Sequence, residues 1–409
     1  MPAIRSITYF SDVFADDYET PFEQAGTFLT AAKTAFTAAN IMVQTTRMAT
    51  QPFPQGVVPD GADSVEMAAQ SLSARCELNE IDYLSIGCVS AKDDLAYIAA
   101  LADVFAATPN IFGTVEIASA EHGISFEVLH HTAKLIKAVS ELQDDGMANL
   151  FLAALANCPP YSPFFPVAYH GGGDPAFALA IQAADLAVRA FATAKTPQQA
   201  QDNLIHEIEH YAAKLVPIAT QLAQNYNVQF KGLDFSLAPY PTDDKSLGGA
   251  IEALGTPFGS HGLVAAASLI MNAIEAADFP SVGFSGLMLP VLEDSVLGAR
   301  ASEEHLTLQD LLLLSTVCGT GLDCIPLAGA ISTEHLAAIL MDVAALSLRL
   351  DKPLTARLMP FPNKQVGDPV TFGFEFFADS RIMPTPAKTL KTNSILGATQ
   401  GTLKVRPRK

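Results

Sequence analysis

GLDCIPLAGAISTEHLAAILMDVAALSLRLDKPLTARLMP (321–360) contains a short apolar run, a longer amphipathic stretch and a second short run. Residues 321–327 and 354–360 have the length and composition of strands. TEHLAAILMDVAALSLRL (333–350) between them repeats its apolar positions at helical spacing. Strand, helix and strand in succession predict an α/β fold with a mostly parallel core, in a barrel or a doubly wound sheet.

The alternation recurs along the chain. Further strand candidates are IRSITYF (4–10), IMVQTTR (41–47), YLSIGCV (83–89), IFGTVEIA (111–118), NLFLAAL (149–155), FFPVAYH (164–170), VQFKGLDFSL (228–237) and FSGLMLPV (284–291). Ala-rich stretches such as PAFALAIQAADLAVRAFATA (175–194) read as helices. Several strand candidates are apolar throughout, as strands covered on both faces should be. No repeat or low-complexity linker divides the chain, so residues 1–376 are expected to form one large domain and 377–409 an extended, Pro-containing tail.

Composition narrows the function classes. The 409 residues are 49% hydrophobic and only 16% charged, which describes a globular protein with a large interior. The net charge of -19 repels nucleic-acid backbones and anionic membrane surfaces, so neither is an expected partner. Its one basic run, KVRPRK (404–409), reads as a solvated terminus. Five cysteines without a CxxC pair fit a reducing compartment. Apolar stretches are interrupted before they reach spanning length, and MPAIRSITYF does not read as a leader, so a cytoplasmic protein is expected.

HEIEH (206–210) matches the H-E-x-x-H pattern of zinc peptidases letter for letter. Its helix, predicted over 198–225, carries the apolar stripe Leu204, Ile208, Tyr211, Leu215, Ile218 and Leu222, and both histidines fall about 200° from it. They are expected to face solvent. No His or Glu lies between Tyr211 and Ile251 to serve as a third ligand, so the motif reads as a decoy.

Working residues of α/β folds gather at the C-terminal ends of strands, which directs attention to Arg47, His170, Asp234, Ser236 and Arg357. An arginine there either clamps an anion or forms a structural ion pair. His170 precedes Gly171, Gly172 and Gly173, whose backbone donors suit an anion or merely make a tight turn. Ser260 and His261, at the start of a predicted helix, suggest anion binding with proton transfer, or a simple cap. Glu293 and Asp294 follow an apolar run and are candidate ligands for a divalent cation, or helix-dipole partners. Asp323 interrupts an apolar strand and needs a partner, a metal or a shifted pKa.

The strings VQTTRMATQPFP (43–54), LDFSLAP (233–239), GSHG (259–262), GFSGLMLPVLEDSVL (283–297) and VCGTGLDCIPL (317–327) resemble the family catalogued as domain of unknown function 711, or uncharacterised protein family 0210. The resemblance runs from IRSIT to about residue 375. It implies a single large ten-stranded α/β barrel similar to that of pyruvate formate-lyase and other glycyl radical enzymes, with helices outside, in a homodimer. It also implies that Arg47, His170, Asp234, Ser236, His261, Glu293, Asp294, Asp323 and Arg357 recur in the family. The tail NSILGATQGTLKV lacks the R-V-x-G-aromatic loop that a glycyl radical requires, so no radical is expected. Cys318 and Cys324 read as small buried residues.

The expected function is therefore a non-radical enzyme doing acid/base chemistry on a small carboxylate or phosphate metabolite. Arg47, Arg357, Ser236, Ser260 and Gly171–Gly173 would bind it, while His170, His261, Asp234 and Asp323 exchange protons. Glu293 and Asp294 would hold any divalent cation. The competing reading is a ligand-binding or regulatory protein without turnover; a zinc peptidase is disfavoured.

Overall fold

The computed structural model describes residues 2–58, 61–386, 388, 390–391 and 394–408. Ten strands carry the site and its frame: β1 (Ala3–Phe10), β2 (Val43–Ala49), β3 (Tyr83–Val89), β4 (Ile111–Ser119), β5 (Gly123–Ser125), β6 (Leu152–Ala156), β7 (Ala176–Gln182), β8 (Gln229–Ala238), β9 (Gly321–Ala328) and β10 (Leu354–Phe361). The short pairs β11 (Pro369–Val370), β12 (Ser380–Arg381) and β13 (Thr402–Leu403) follow. Helices α1 (Glu19–Ala38), α2 (Val65–Leu78), α3 (Ala96–Ala107), α4 (Phe126–Ser140), α5 (Ala184–Ala192) and α6 (Pro197–Tyr226) precede α7 (Leu247–Ala253), α8 (Leu263–Ala276), α9 (Ser295–Ser302), α10 (Leu308–Leu314) and α11 (Thr333–Leu350).

The strands form one mixed sheet in the order β8-β7-β1-β2-β3-β4-β6-β10-β9, with β5 and β13 attached beyond β4. Strands β1, β2, β3, β4 and β6 are mutually parallel. The β7–β8 and β9–β10 pairs are each parallel internally but antiparallel to that group, through β7 on β1 and β10 on β6. The mostly parallel core is thus two parallel sets of opposite direction. The two terminal strands of the path share a neighbour: residue 281 bridges Leu233 of β8, and Pro290 bridges Asp323 of β9.

Most strand candidates fall on strands, and the exceptions have physical causes. Within 175–194, residues 176–182 are strand β7 and only 184–192 are helix. Every β7 residue is buried between β1 and β8, so the sheet overrides the helix preference of its alanines. The 149–155 run begins as a 3₁₀ turn before β6. FSGLMLPV makes a single bridge, at Pro290, rather than a ladder.

FFPVAYH is no strand. Pro163 and Pro166 remove ladder donors, and the segment turns back on itself, with the Tyr161 N–H donating to the Tyr169 carbonyl at 3.0 Å. This finger is buried against the inner face of the sheet. Side-chain hydroxyls satisfy its backbone: Ser6 and Thr8 donate to the Pro163 carbonyl (3.0 and 2.8 Å) and Ser85 to that of Ala168 (2.6 Å). The tail beyond residue 376 packs back on the body, with Ile382 and Met383 buried and β13 pairing with β5. Among the described residues no helix is long and apolar enough to cross a membrane.

Candidate functional site

Because the two strand sets run in opposite directions, one end of the sheet joins N-terminal ends of the first to C-terminal ends of the second. A cavity of about 80 Å³ lies there. Arg5 of β1, Gln44, Thr45 and Arg47 of β2 and Tyr83 of β3 approach from one side; Glu293, Asp323 and Arg357 approach from the other. Phe164 and Phe165 at the finger tip form one wall, and Phe374, Phe376 and Phe377 another.

Interruptions of strand register aim several of these side chains. The β1–β7 register slips between Ile4 and Ser6, leaving Arg5 as the extra residue. That turns a guanidinium toward the inner face, where strict alternation would place it outside. The β9–β10 register likewise slips between Ala356 and Leu358, opposite Asp323 and Cys324, with Cys324 held at φ 48°. Such a φ is unusual for a residue with a side chain, and it lets adjacent residues of one strand face the same group.

Arg357 Nε donates to Asp323 Oδ1 at 2.6 Å and its Nη2 to Glu293 Oε1 at 3.0 Å. Arg5 Nη2 donates to Glu293 Oε2 at 2.8 Å, Arg5 Nη1 meets Gln44 Oε1 at 3.3 Å, and the guanidinium lies 4.4 Å over the Phe376 ring. Both carboxylates are therefore engaged by Arg5 and Arg357. Burial pushes the Asp323 carboxyl up against the opposing pull of Arg357, and pushes the Cys324 thiol up strongly.

Arg47 is placed differently. Its Nε donates to Thr45 Oγ1 at 2.9 Å, and Thr45 is itself fixed by donating to the Arg5 carbonyl at 2.7 Å. The guanidinium is buried, lies 5.0 Å over Phe165 and 5.6 Å over Tyr83, and has no carboxylate partner among the described residues. Burial, then Arg5, lower its pKa to about 9. A cationic fork with a free end in an aromatic pocket is chemically suited to bind a carboxylate or phosphate bidentately.

The other expected residues lie elsewhere. Asp234 and Ser236 form a buried latch between β8 and the segment at 283–288: Asp234 accepts from Ser236 Oγ (2.5 Å) and from the Phe284 and Ser285 N–H groups (both 2.9 Å). Burial raises the Asp234 pKa to about 6. A Cβ on Gly283, at φ 69°, would come within 2.2 Å of the Asp234 carboxylate, so this turn needs glycine. His170 sits beyond the C-terminal ends of β1 and β2, its N–H on the Thr50 carbonyl and its Nδ1 2.7 Å from Asp12 Oδ1. Gly171, Gly172 and Gly173 follow it in an exposed turn. His261 is exposed; Ser260 donates to the Pro257 carbonyl at 2.6 Å and does not cap α8, whose cap is Gly262.

Glu293 and Asp294 do not share a site. Asp294 accepts from Ser246 and from four backbone N–H groups at the starts of α7 and α9, at 2.6–3.1 Å. It is a double cap with no oxygen to spare. The atoms of Glu293, Asp323 and Cys324 lie within 4.8 Å of one another, a spacing a metal could use. Yet Arg357 already bridges the two carboxylates, and the thiol resists ionisation, so these residues do not fit a divalent cation as arranged. On α6, the HEIEH histidines are exposed and stack on each other at 6.1 Å, and Glu207 is paired with Arg189 at 2.8 Å.

Sequence reading missed Arg5, Gln44, Thr45, Tyr83 and the FGFEFF aromatics (372–377). A polar residue near the start of an apolar strand, as in IRSITYF, was the available signal.

The family model for uncharacterised ACR (DUF711) matches residues 2–380. The chain belongs to that family. It is similar to UPF0210 proteins of Pyrobaculum aerophilum (32% identity, 68% of this chain and 63% of that protein), Pyrobaculum arsenaticum (30%, 83% and 78%) and Syntrophobacter fumaroxidans (33%, 69% and 65%). The match thus spans just under two thirds of the first and third of these relatives. The latch Asp234 and Ser236, the cap Asp294 and the cavity residues Arg47, Glu293, Asp323 and Arg357 all lie within the family region.

Proposed function

We propose that the protein binds a small anion, a carboxylate or phosphate, in the arginine cavity, and that Arg47 is its principal ligand. The observation that carries this reading is the buried Arg47 guanidinium without a carboxylate partner, beside two arginines that have theirs. A buried cation left uncompensated is costly, and an incoming anion removes that cost. In an enzyme built on this site, Asp323 is the proton-exchanging group, because it lines the cavity and its pKa is raised. His170 and His261, absent from the lining, would then have no direct part.

A binding protein without turnover is favoured by a different observation: Arg5 and Arg357 engage both carboxylates, so no unpaired base faces the cavity. The proposed frame is a ten-stranded barrel in which the segment bridging β8 and β9 is the tenth strand. Its two isolated bridges support that closure. A cytoplasmic homodimer completes the reading; the five cysteines that form no disulfide support the compartment alone. Thermal unfolding in the presence of a panel of small carboxylates and phosphates tests the site. Selected anions should raise the midpoint of the wild type but not of Arg47→Met; equal shifts in both would refute it.

A further inference from the structure

We infer that the cavity selects a monocarboxylate with a flat apolar body over a doubly charged phosphate ester or dicarboxylate; this rests on the anion-site reading above. The charges lining the cavity are three guanidinium groups, Arg5, Arg47 and Arg357, and two carboxylates, Glu293 and Asp323. Glu293 is shared between Arg5 and Arg357, and Asp323 is paired with Arg357, leaving one positive charge over. One negative charge restores neutrality. A dianion would leave an uncompensated negative charge in a buried, aromatic environment, where the penalty is largest.

The remaining donors agree with a planar head group. Thr45 occupies Arg47 Nε, so the free end of the fork is the Nη1/Nη2 pair, which presents two parallel donors to the two oxygens of a carboxylate. The space next to it is lined by rings. Arg47 lies over Phe165 and Tyr83, Phe165 meets Phe112 edge-on at 5.3 Å, and Tyr83 meets Phe112 edge-on at 5.5 Å. Offset and edge-to-face packing within such a box favours a flat ligand over a puckered one of equal size. The cavity volume, about 80 Å³, confines that body to something near a single ring.

The test is a calorimetric titration of the full chain with benzoate, phenyl phosphate at pH 8, cyclohexanecarboxylate and acetate, repeated on Arg47→Met and Phe165→Leu. Benzoate should bind roughly tenfold or more tighter than phenyl phosphate, which shares its ring and doubles its charge. It should also exceed both cyclohexanecarboxylate and acetate, and Phe165→Leu should narrow its advantage over cyclohexanecarboxylate. Phenyl phosphate binding as tightly as benzoate, with both lost in Arg47→Met, would overturn the charge assignment and leave the anion site standing. Equal affinity for benzoate and cyclohexanecarboxylate would overturn the flat-body assignment. No difference between the wild type and a folded Arg47→Met for any of the four would overturn the underlying site as well.

Discussion

Two places near the ends of β2 differ in what lies in front of the polar group they leave unpaired. Around Arg47 a buried guanidinium has a free end facing a cavity. At His170, whose N–H donates to the carbonyl of Thr50 just past the end of β2, the imidazole Nδ1 meets Asp12 while Nε2 is buried without a hydrogen-bond partner among the described residues, and the residue does not line the arginine cavity. As sequence His170 looks the better case, because three glycines follow it, whereas an arginine near a strand end reads as readily as a structural ion pair. The finger joins them: its tip, Phe165, is the platform under Arg47 and its base is His170. In the proposed reading the unpaired buried charge with space in front of it, rather than the histidine, marks the binding place.

The comparison breaks first at Arg357. Replacing it with alanine leaves Glu293 with only Arg5 and Asp323 with no cation, both buried, and should cost about 3–5 kcal/mol of stability, read by urea unfolding. If Arg357→Ala unfolds like the wild type, the ion-pair account of this end is wrong. Asp294→Ala comes next, because it removes the acceptor of five donors at two helix starts. About 2–3 kcal/mol should be lost, with no change in anion affinity.

Asp234 sharpens the contrast through pH. Burial raises its folded pKa to about 6, above the ordinary aspartate value of 3.8, so the folded state holds a proton that the unfolded chain has already released. This group's contribution to stability is therefore greatest at low pH and falls as pH rises through that window. Between pH 4.5 and 6.5 the wild type should lose about 2 kcal/mol more than Asp234→Asn, measured as the difference in unfolding free energies. The same slope in both proteins would remove Asp234 as its source. The smallest effect belongs to HEIEH: His206→Ala and His210→Ala should each change stability by no more than about 0.5 kcal/mol and leave metal content unaltered.

Much of the frame was legible because buried strands and amphipathic helices advertise themselves by apolar run length and period. Helix α6 was read within one residue at each end, and its solvent-facing histidines followed from the angle alone. Two features hid from the same logic. The seven buried residues of β7 include three alanines and read as helix, and the finger reads as a strand although its prolines deny it a ladder. The site was half legible. Arg47 and Arg357 stood out by strand-end position and Asp323 as a charge inside an apolar run, and Glu293 was noticed for a metal rather than for the arginines it holds.

Arg5 and the aromatic walls were missed for a topological reason. The rule that function gathers at C-terminal strand ends assumes strands of one direction; here the opposed sets bring the starts of β1, β2 and β3 to the same place as the ends of β7 and β8. Register slips then turn Arg5 and the Asp323–Cys324 pair off the alternation that sequence reading relies on.

The most direct measurement is one equilibrium titration with benzoate, run on the wild type, Arg47→Met and His170→Gln. Arg47→Met should lose roughly tenfold or more in affinity while His170→Gln binds as the wild type does. Loss of binding in His170→Gln with Arg47→Met unaffected would move the site to His170 and rule out Arg47 as the anion ligand.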